Sequence, residues 1–263
     1  MRKRFGQTLR VGVADGALAL AVTSPMDEAR LAGEAAFDAS SPGALGPALQ
    51  ALLGAEHARW PVSFVVADEL VRMWQVSPPQ GAARMADLQA AAALRFHGLY
   101  GQAPAEWAIS ASWDAVHPFL AAAMPRALVA ALAQAADQQR MAVTGIEPHF
   151  VVAWNAWRSS LRAQAWFALV HGGVLTLGVP RGERLAAVRT AAVPAGAGFD
   201  WLVRHIEREA LLLDLPAPAS LALCGAVPEP WLQGGATLAC TLLGRVVQAA
   251  APAAQLALGE YAA

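Results

Sequence analysis

The stretch Leu9-Arg-Val-Gly-Val-Ala-Asp-Gly-Ala-Leu-Ala-Leu-Ala-Val22 consists of two apolar runs on either side of an Asp-Gly pair. Asp-Gly between apolar runs is a strong hairpin signal, because a tight turn requires positive φ angles that glycine adopts at little cost. Leu18, Leu20 and Val22 recur at period two and therefore share one face of the second strand. The stretch predicts an antiparallel β-hairpin.

The same pattern returns later in Trp166-Phe-Ala-Leu-Val-His-Gly-Gly-Val-Leu-Thr-Leu-Gly-Val179, which places Gly172-Gly173 where the first copy has Asp15-Gly16. In each copy the sequence predicts a further strand, an amphipathic helix and a last strand after the hairpin. In the first copy these are Arg30–Phe37, Ala44–Leu53 and Val62–Val66; in the second they are Arg184–Ala192, an apolar stripe from Phe199 to Ala210, and Ser220–Leu223. The pattern therefore predicts a duplicated unit; the alternative is a chance similarity of two hairpins, which are common.

Additional elements are predicted between the copies. A helix at Met85–Tyr100 ends at Gly101, and a strand at Glu106–Ser112, a helix at Pro125–Arg140 and a strand at Met141–Ile146 follow. These elements predict an αβαβ subdomain inserted at about residues 75–148 of a first lobe, 1–158, which is followed by a second lobe, 159–263. The alanine-rich tail after Gly244 is predicted to form a last helix that is broken at Pro252.

Composition excludes several classes of protein. The chain has 263 residues, 56% of them hydrophobic and 15% charged, so it buries enough apolar surface to order itself. Its net charge of −1 argues against a nucleic-acid partner. Two cysteines, Cys224 and Cys240, exclude a disulfide framework and indicate a reducing compartment. Charged residues, glutamines and prolines interrupt every apolar stretch, so we expect no membrane span and a soluble cytoplasmic protein.

Common catalytic signatures are missing from the sequence. It contains no Gly-x-x-x-x-Gly-Lys phosphate loop, no Gly-x-Gly-x-x-Gly and no Gly-x-Ser-x-Gly. The six histidines are scattered without metal-ligand spacing, and His205 with Glu207 and Glu209 is interpreted as a solvated helix face. We therefore predict no catalytic residue and no metal site. Trp154 and Trp157 lie at the junction of the lobes and are candidates for lining a cleft.

Four segments carry a resemblance to a known fold: Phe64-Val-Val-Ala-Asp-Glu-Leu-Val-Arg-Met-Trp74 with Pro78-Pro79, Met124-Pro-Arg-Ala-Leu128, Ala142-Val-Thr-Gly-Ile-Glu-Pro148, and His149-Phe-Val-Val-Ala-Trp-Asn155. Together with the duplicated unit, they resemble the actin-like ATPase fold, a duplicated ribonuclease-H-like α/β architecture of two lobes. Within it, the sequence is similar to the PilM-like and GspL-like cytoplasmic scaffolds of type IV pilus and type II secretion platforms.

The resemblance also implies where a nucleotide would bind. Active members hold Mg-ATP with two hairpin turns and a Gly-Gly loop, in which glycines admit phosphate and an Asp holds hydrated Mg²⁺. The sequence departs from that pattern in all three loops, which fall on Ala14, Asp15 and Gly16; on His171, Gly172 and Gly173; and on Cys224 and Gly225. Asp15 is one residue out of register, which moves a side chain to the opposite face of a strand. The expectation is a degenerate site without a cofactor.

The resemblance thus implies a non-catalytic scaffold at the inner face of a bacterial inner membrane. Its partners would be the cytoplasmic tail of a single-pass platform protein and an assembly ATPase. Two alternatives remain open at this stage. One is an active actin-like or sugar-kinase-like Mg-ATPase that uses Asp15, and the other is an α/β hydrolytic enzyme that uses His149 or His171 with an unassigned acid.

Overall fold

The secondary structure alternates between strands and helices along the whole chain. The computed structural model describes residues 6–41, 43–162, 164–182, 184–244 and 251–259. The strands are β1 (Thr8–Ala14), β2 (Ala17–Thr23), β3 (Arg30–Ala36), β4 (Pro61–Val66), β5 (Arg72–Val76), β6 (Trp107–Ala111), β7 (Phe119–Pro125), β8 (Ala142–Pro148), β9 (Trp166–His171), β10 (Val174–Arg181), β11 (Arg184–Ala192), β12 (Ser220–Gly225) and β13 (Ala239–Leu242). The helices are α1 (Leu45–Leu53), α2 (Met85–Tyr100), α3 (Arg126–Gln138), α4 (His149–Trp157), α5 (Phe199–Leu212), α6 (Glu229–Leu232) and α7 (Pro252–Leu258).

Two five-stranded sheets share one topology. Their strand orders are β3-β2-β1-β4-β8 and β11-β10-β9-β12-β13. In each, the first three strands are antiparallel and the last two run parallel to the central strand. The hairpin registers also correspond, since Val13 pairs with Leu18 in one and Val170 with Leu175 in the other. The duplicated two-lobed α/β unit predicted from the two hairpins is therefore confirmed.

The inserted subdomain differs from its prediction. It is a three-stranded sheet of order β5-β7-β6 covered by α2, with its own core around Trp74 and Phe96. By contrast, β8 pairs in parallel with β4, and α3 packs against α1, so both belong to the sheet and helix layer of lobe one. The predicted αβαβ grouping at about 75–148 is wrong in this respect. The grouping was wrong because the partners of β8 and α3 are distant in the sequence. In addition, no strand was predicted at Phe119–Pro125, which is rich in alanine, a strong helix former and a weak strand former.

Two helices connect the lobes in opposite directions. After β8, α4 reaches lobe two, where a Cβ atom on Gly178 of β10 would lie 2.7 Å from the Phe150 ring. The last helix, α7, returns from lobe two to pack on β1 and β2. Lobe two therefore does not include all of residues 159–263. Pro252 stands in the first turn of α7 and starts this helix, because the first turn needs no amide donor. The part of the predicted tail helix that precedes it, residues 245–250, lies outside the described residues.

The lobes share a hydrophobic core. Phe150 stacks on Trp154 of its own helix at 6.3 Å and contacts Phe167 of β9 at 5.8 Å, measured between ring centroids. Buried residues of β1, β2 and β4 belong to the same apolar cluster as Leu169 and Cys224 of lobe two. In the described part of the chain, no helix combines the length and the hydropathy that a membrane crossing requires.

Candidate functional site

Both hairpin turns form as tight two-residue loops. In the first, Gly16 has a φ of +67°, and Asp15 is exposed beside the buried Ala14. In the second, Gly172 and Gly173 have φ angles of +55° and +75°, the geometry of a type I′ turn. Positive φ at both positions explains the Gly-Gly pair without reference to any ligand. The exposed Asp15 carboxylate remains available to solvent.

His171 ends β9, next to the second turn, and is buried against lobe one. Its Nε2 atom donates a hydrogen bond to the carbonyl oxygen of Pro252, 2.9 Å away, at the start of α7. Its ring meets that of His149 edge-on at 4.8 Å. Burial lowers the pKa of both histidines below the usual 6.5, and for His149 the neighbouring His171 adds to this effect. Both rings are therefore neutral at pH 7.

Asp68, which sequence analysis did not select, connects three elements at the boundary between the lobes. It lies in a short 3-10 turn after β4 and is 3% exposed. Its carboxylate accepts hydrogen bonds from the Phe150 amide at 2.9 Å and from the Thr176 hydroxyl at 2.8 Å. Burial raises its pKa from 3.8 to about 7, although both hydrogen bonds act in the opposite direction. A carboxylate directly after a buried strand was the available sequence signal.

Glu69 lies against the second turn. Its carboxylate oxygens would be 3.6 and 3.8 Å from a Cβ atom at Gly172. Oε2 is buried and has no hydrogen-bond partner among the described residues. A carboxylate in this position repels an approaching phosphate, because two anions at short range in a poorly hydrated site raise each other's energy.

The third expected loop, Cys224-Gly225, ends β12 inside the core. Burial raises the pKa of the Cys224 thiol to about 12, so the nucleophilic thiolate is scarce at neutral pH. Gly225 has a φ of +86°, and a Cβ atom there would overlap the Val170 carbonyl oxygen. The glycine is thus required by the packing of β12 against β9.

The interpretation of His205, Glu207 and Glu209 on α5 as a solvated face is wrong for two of the three residues. His205 is 8% exposed and stacks on Trp201 at 4.9 Å. Glu209 is 5% exposed and forms ion pairs with Arg208 and Arg189 at 2.7 and 3.6 Å. Only Glu207 of the three is exposed. Across the residues that the structure describes, no group of three or more His, Cys, Asp or Glu side chains could hold a metal ion.

A groove of about 590 Å³ lies between the inserted subdomain and lobe one. The strands β6 and β8, which both line it, are each the outermost strand of their sheet. Its apolar lining includes Ile109, Ala122, Met124, Val129, Ile146, Val151 and Trp154. Trp154 therefore lines a cleft at the junction of the lobes. His149 and His171 do not line this groove.

Two polar contacts join the subdomain to lobe two at the rim of the groove. Arg184 of β11 donates a hydrogen bond to Asp114 at 2.8 Å, and this contact holds the pKa of that carboxyl well below its usual range. The Gln75 amide donates to the Leu185 carbonyl oxygen. The groove is thus bounded by three parts of the molecule whose relative positions are tied together.

Comparison with known proteins shows the fold. No family model and no curated protein sequence matches the chain. Solved structures similar to it include the cytoplasmic domain of EpsL, an inner membrane component of the type II secretion system of Vibrio cholerae (TM-score 0.58, 12% identity, 97% of this chain and 94% of that chain covered). A Bacteroides thetaiotaomicron protein of unknown function with an actin-like ATPase fold has a TM-score of 0.60 at 10% identity, covering 90% of this chain and 91% of that chain.

A third similar structure is the PilM–PilN type IV pilus biogenesis complex, with a TM-score of 0.50 and 15% identity over 79% of this chain and 66% of that chain. At identities this low, structural similarity shows the fold alone. The chain has the actin-like ATPase fold that its sequence resembles.

Proposed function

We propose that this chain, which has the actin-like ATPase fold, is a non-catalytic scaffold of a bacterial type IV pilus or type II secretion assembly platform. In this proposal it is a cytoplasmic protein at the inner face of the inner membrane. It binds the cytoplasmic tail of a single-pass membrane partner, and an assembly ATPase is its second partner. The likeness to the EpsL domain and to the PilM–PilN complex supports this context.

The groove between β6 and β8 is the observation that carries the proposal. In this proposal the tail binds as an extended segment, and extended segments bind at outer strands of sheets, where unpaired backbone groups are available. Apolar side chains such as Ile109, Ile146 and Val151 offer pockets for alternate side chains of such a segment. The groove lies between the outer strand of the subdomain sheet and the outer strand of the lobe-one sheet. It therefore offers a segment both strand edges and apolar side chains.

The second turn supports the absence of ATP chemistry in this proposal. A phosphate at this turn would have to approach Gly172, beside which the Glu69 carboxylate already lies. The residue in the place of the expected metal-binding Asp is His171, a neutral and buried ring whose Nε2 atom donates to Pro252. A neutral histidine ring supplies neither a negative charge to hold Mg²⁺ nor a positive charge to balance the triphosphate.

The alternative of a Mg-ATPase that uses Asp15 is tested by calorimetric titration of the protein with Mg-ATP. We expect no saturable heat. Micromolar binding that Asp15→Ala abolishes would contradict the scaffold proposal and establish the alternative. The structure does not support the hydrolytic alternative, because His149 and His171 are only 1% and 3% exposed, which keeps both rings away from a substrate.

Tail binding is tested in two steps. A photo-reactive amino acid at Ser110 of β6, which is exposed and lines the groove, is irradiated in cells, and the cross-linked protein is identified. A synthetic peptide of that protein's cytoplasmic tail is then titrated into the purified chain. We expect a single-pass inner-membrane protein as the cross-linked partner and saturable binding of its tail.

The variant Ala122→Trp fills the groove with an indole ring and should abolish binding of the tail peptide. Ala51→Trp is the matched control, because Ala51 is exposed on α1 and does not line the groove. Equal binding by the two variants would show that the tail does not occupy the groove.

A further inference from the structure

A second cavity, of about 1020 Å³, lies at the end of the lobe-two sheet opposite the Gly172-Gly173 turn. It is bounded by the start of β9, the end of β10 and residues 215–219 before β12. Its floor is apolar, with Trp154, Trp166, Val179 and Pro218, all of them buried. We call this cavity the bowl.

Three arginines, Arg158, Arg162 and Arg181, line the bowl and are exposed. No Asp or Glu is among the described residues that line it. In the described part of the chain, none of the three guanidinium groups forms an ion pair. Like charges gathered around a concave surface repel one another, and a bound anion relieves that repulsion. In a chain with a net charge of −1, this local excess of positive charge is a feature of the bowl and not of the whole surface.

The bowl adjoins the groove, because Trp154 and Arg158 line both cavities. A segment that extends from the groove beyond Trp154 therefore meets Arg158 first, with Arg162 and Arg181 in the adjoining bowl. Guanidinium groups bind carboxylates through paired, charge-assisted hydrogen bonds, and the apolar floor suits the side chains between them. The concave shape fits a peptide better than a membrane, since a flat bilayer cannot reach a buried floor.

We propose that the bowl binds an acidic stretch of a peptide, adjacent to the part of the partner's cytoplasmic tail that lies in the groove. This inference rests on the proposed function for the origin of the peptide. The binding chemistry of the bowl, a multiply charged carboxylate segment on three arginines, can be tested without the partner.

The probe is a fluorescein-labelled octaglutamate peptide, whose binding to the full chain is followed by fluorescence polarisation. We expect saturable binding that weakens as salt is added, because the interaction between exposed charges is screened. Replacing the three bowl arginines (Arg158→Gln, Arg162→Gln and Arg181→Gln) should lower the affinity at least about tenfold, as loss of several charge-assisted hydrogen bonds requires.

The matched control replaces three other exposed arginines, Arg30→Gln, Arg95→Gln and Arg204→Gln, which lie in β3, α2 and α5 and line neither cavity. It changes the net charge by the same amount and should alter the affinity by less than about twofold, since distant exposed charges are screened. An equal loss in both triple variants, or no saturable binding by the unchanged protein, would overturn the proposal.

Two further arms separate this proposal from others. Vesicles of phosphatidylglycerol and phosphatidylethanolamine test a lipid surface as the occupant; if they bind through the three arginines and octaglutamate does not, the peptide proposal is wrong. Ala122→Trp should bind octaglutamate normally, because it changes only the groove. A chain that binds octaglutamate in the bowl but no tail peptide in the groove would refute the proposed function and leave the bowl's preference for acidic peptides standing.

Discussion

Gly12, in the middle of β1, shows how a single missing side chain determines a packing distance. A Cβ atom there would overlap the Ala253 carbonyl oxygen and lie 2.8 Å from the Ala257 nitrogen. These are backbone atoms, which cannot rotate away as a flexible side chain can. We expect Gly12→Ala to lower the free energy of unfolding by at least about 3 kcal/mol, the upper end of overpacking effects. Urea denaturation measures this change.

Gly98→Ala is the control for that substitution, because Gly98 is exposed in α2 and a Cβ atom there would contact nothing within 4 Å. Alanine in a helix should stabilise by about 0.5–1 kcal/mol relative to glycine. If Gly12→Ala were equally harmless, the close contact between α7 and β1 would be wrong.

Asp68 should make stability depend on pH. Its folded-state pKa is raised from 3.8 to about 7, so the folded protein binds more protons than the unfolded chain between these values. The contribution of Asp68 to stability is therefore fully present below about pH 4 and is lost as the pH rises towards 7. The side chain of Asp68→Asn cannot titrate. Between pH 5 and pH 7, the free energy of unfolding of this variant should therefore rise by about 1–2 kcal/mol relative to that of the unchanged protein.

The measurement for Asp68 is urea denaturation at both pH values. Burial lowers the pKa values of His149 and His171, and this reduces the stability of the protein as the pH falls, opposite to the effect of Asp68. The histidine effect is the same in both proteins and cancels in the difference between them. Asp137→Asn, at an exposed position of α3, should follow the pH profile of the unchanged protein. If the stability of Asp68→Asn also followed the pH profile of the unchanged protein, the raised pKa of Asp68 would be wrong.

At the scale of elements, α7 completes lobe one. Leu256 of this helix is fully buried against β1 and β2, whereas Leu211 at the end of α5 is 80% exposed. Leu256→Ala should cost about 2–5 kcal/mol through lost burial and a residual cavity, and Leu211→Ala less than about 0.5 kcal/mol. Leu256→Ala should speed up amide hydrogen exchange in β1 and β2 more than in β12. Faster exchange of β12 instead would place α7 on lobe two.

The elements also show what sequence analysis can and cannot predict. Tight-turn glycines and alternating apolar residues are local signals, so both hairpins, α2 and β11 were predicted at or near their observed bounds. Phe119–Pro125 is locally ambiguous, and only its pairing with β5 and β6 makes it a strand. The partners of β8 and α7 depend on contacts between distant segments, which residue patterns do not record. The same reason explains why Asp68, whose hydrogen-bond partners lie 82 and 108 residues away, was missed.

At the scale of the whole molecule, the shared core should make the lobes unfold together. Phe150 is fully buried between Trp154 of its own helix and Phe167 of lobe two. Phe150→Ala should lower the stability by about 3–5 kcal/mol while circular dichroism and tryptophan fluorescence continue to report one transition. Val116→Ala, at a position 77% exposed, is the control and should change little. Two separate transitions in the unchanged protein would show that the lobes are energetically independent.

The return of α7 to the first sheet also has a consequence for biosynthesis. Strands β1 and β2 leave the ribosome long before the helix that covers them, which begins at Pro252. At about 5–20 residues per second, translation leaves that apolar surface uncovered for roughly 10 to 50 seconds. A nascent chain with this architecture therefore exposes an incomplete apolar sheet until α7 has been synthesised, and during that interval aggregation competes with folding.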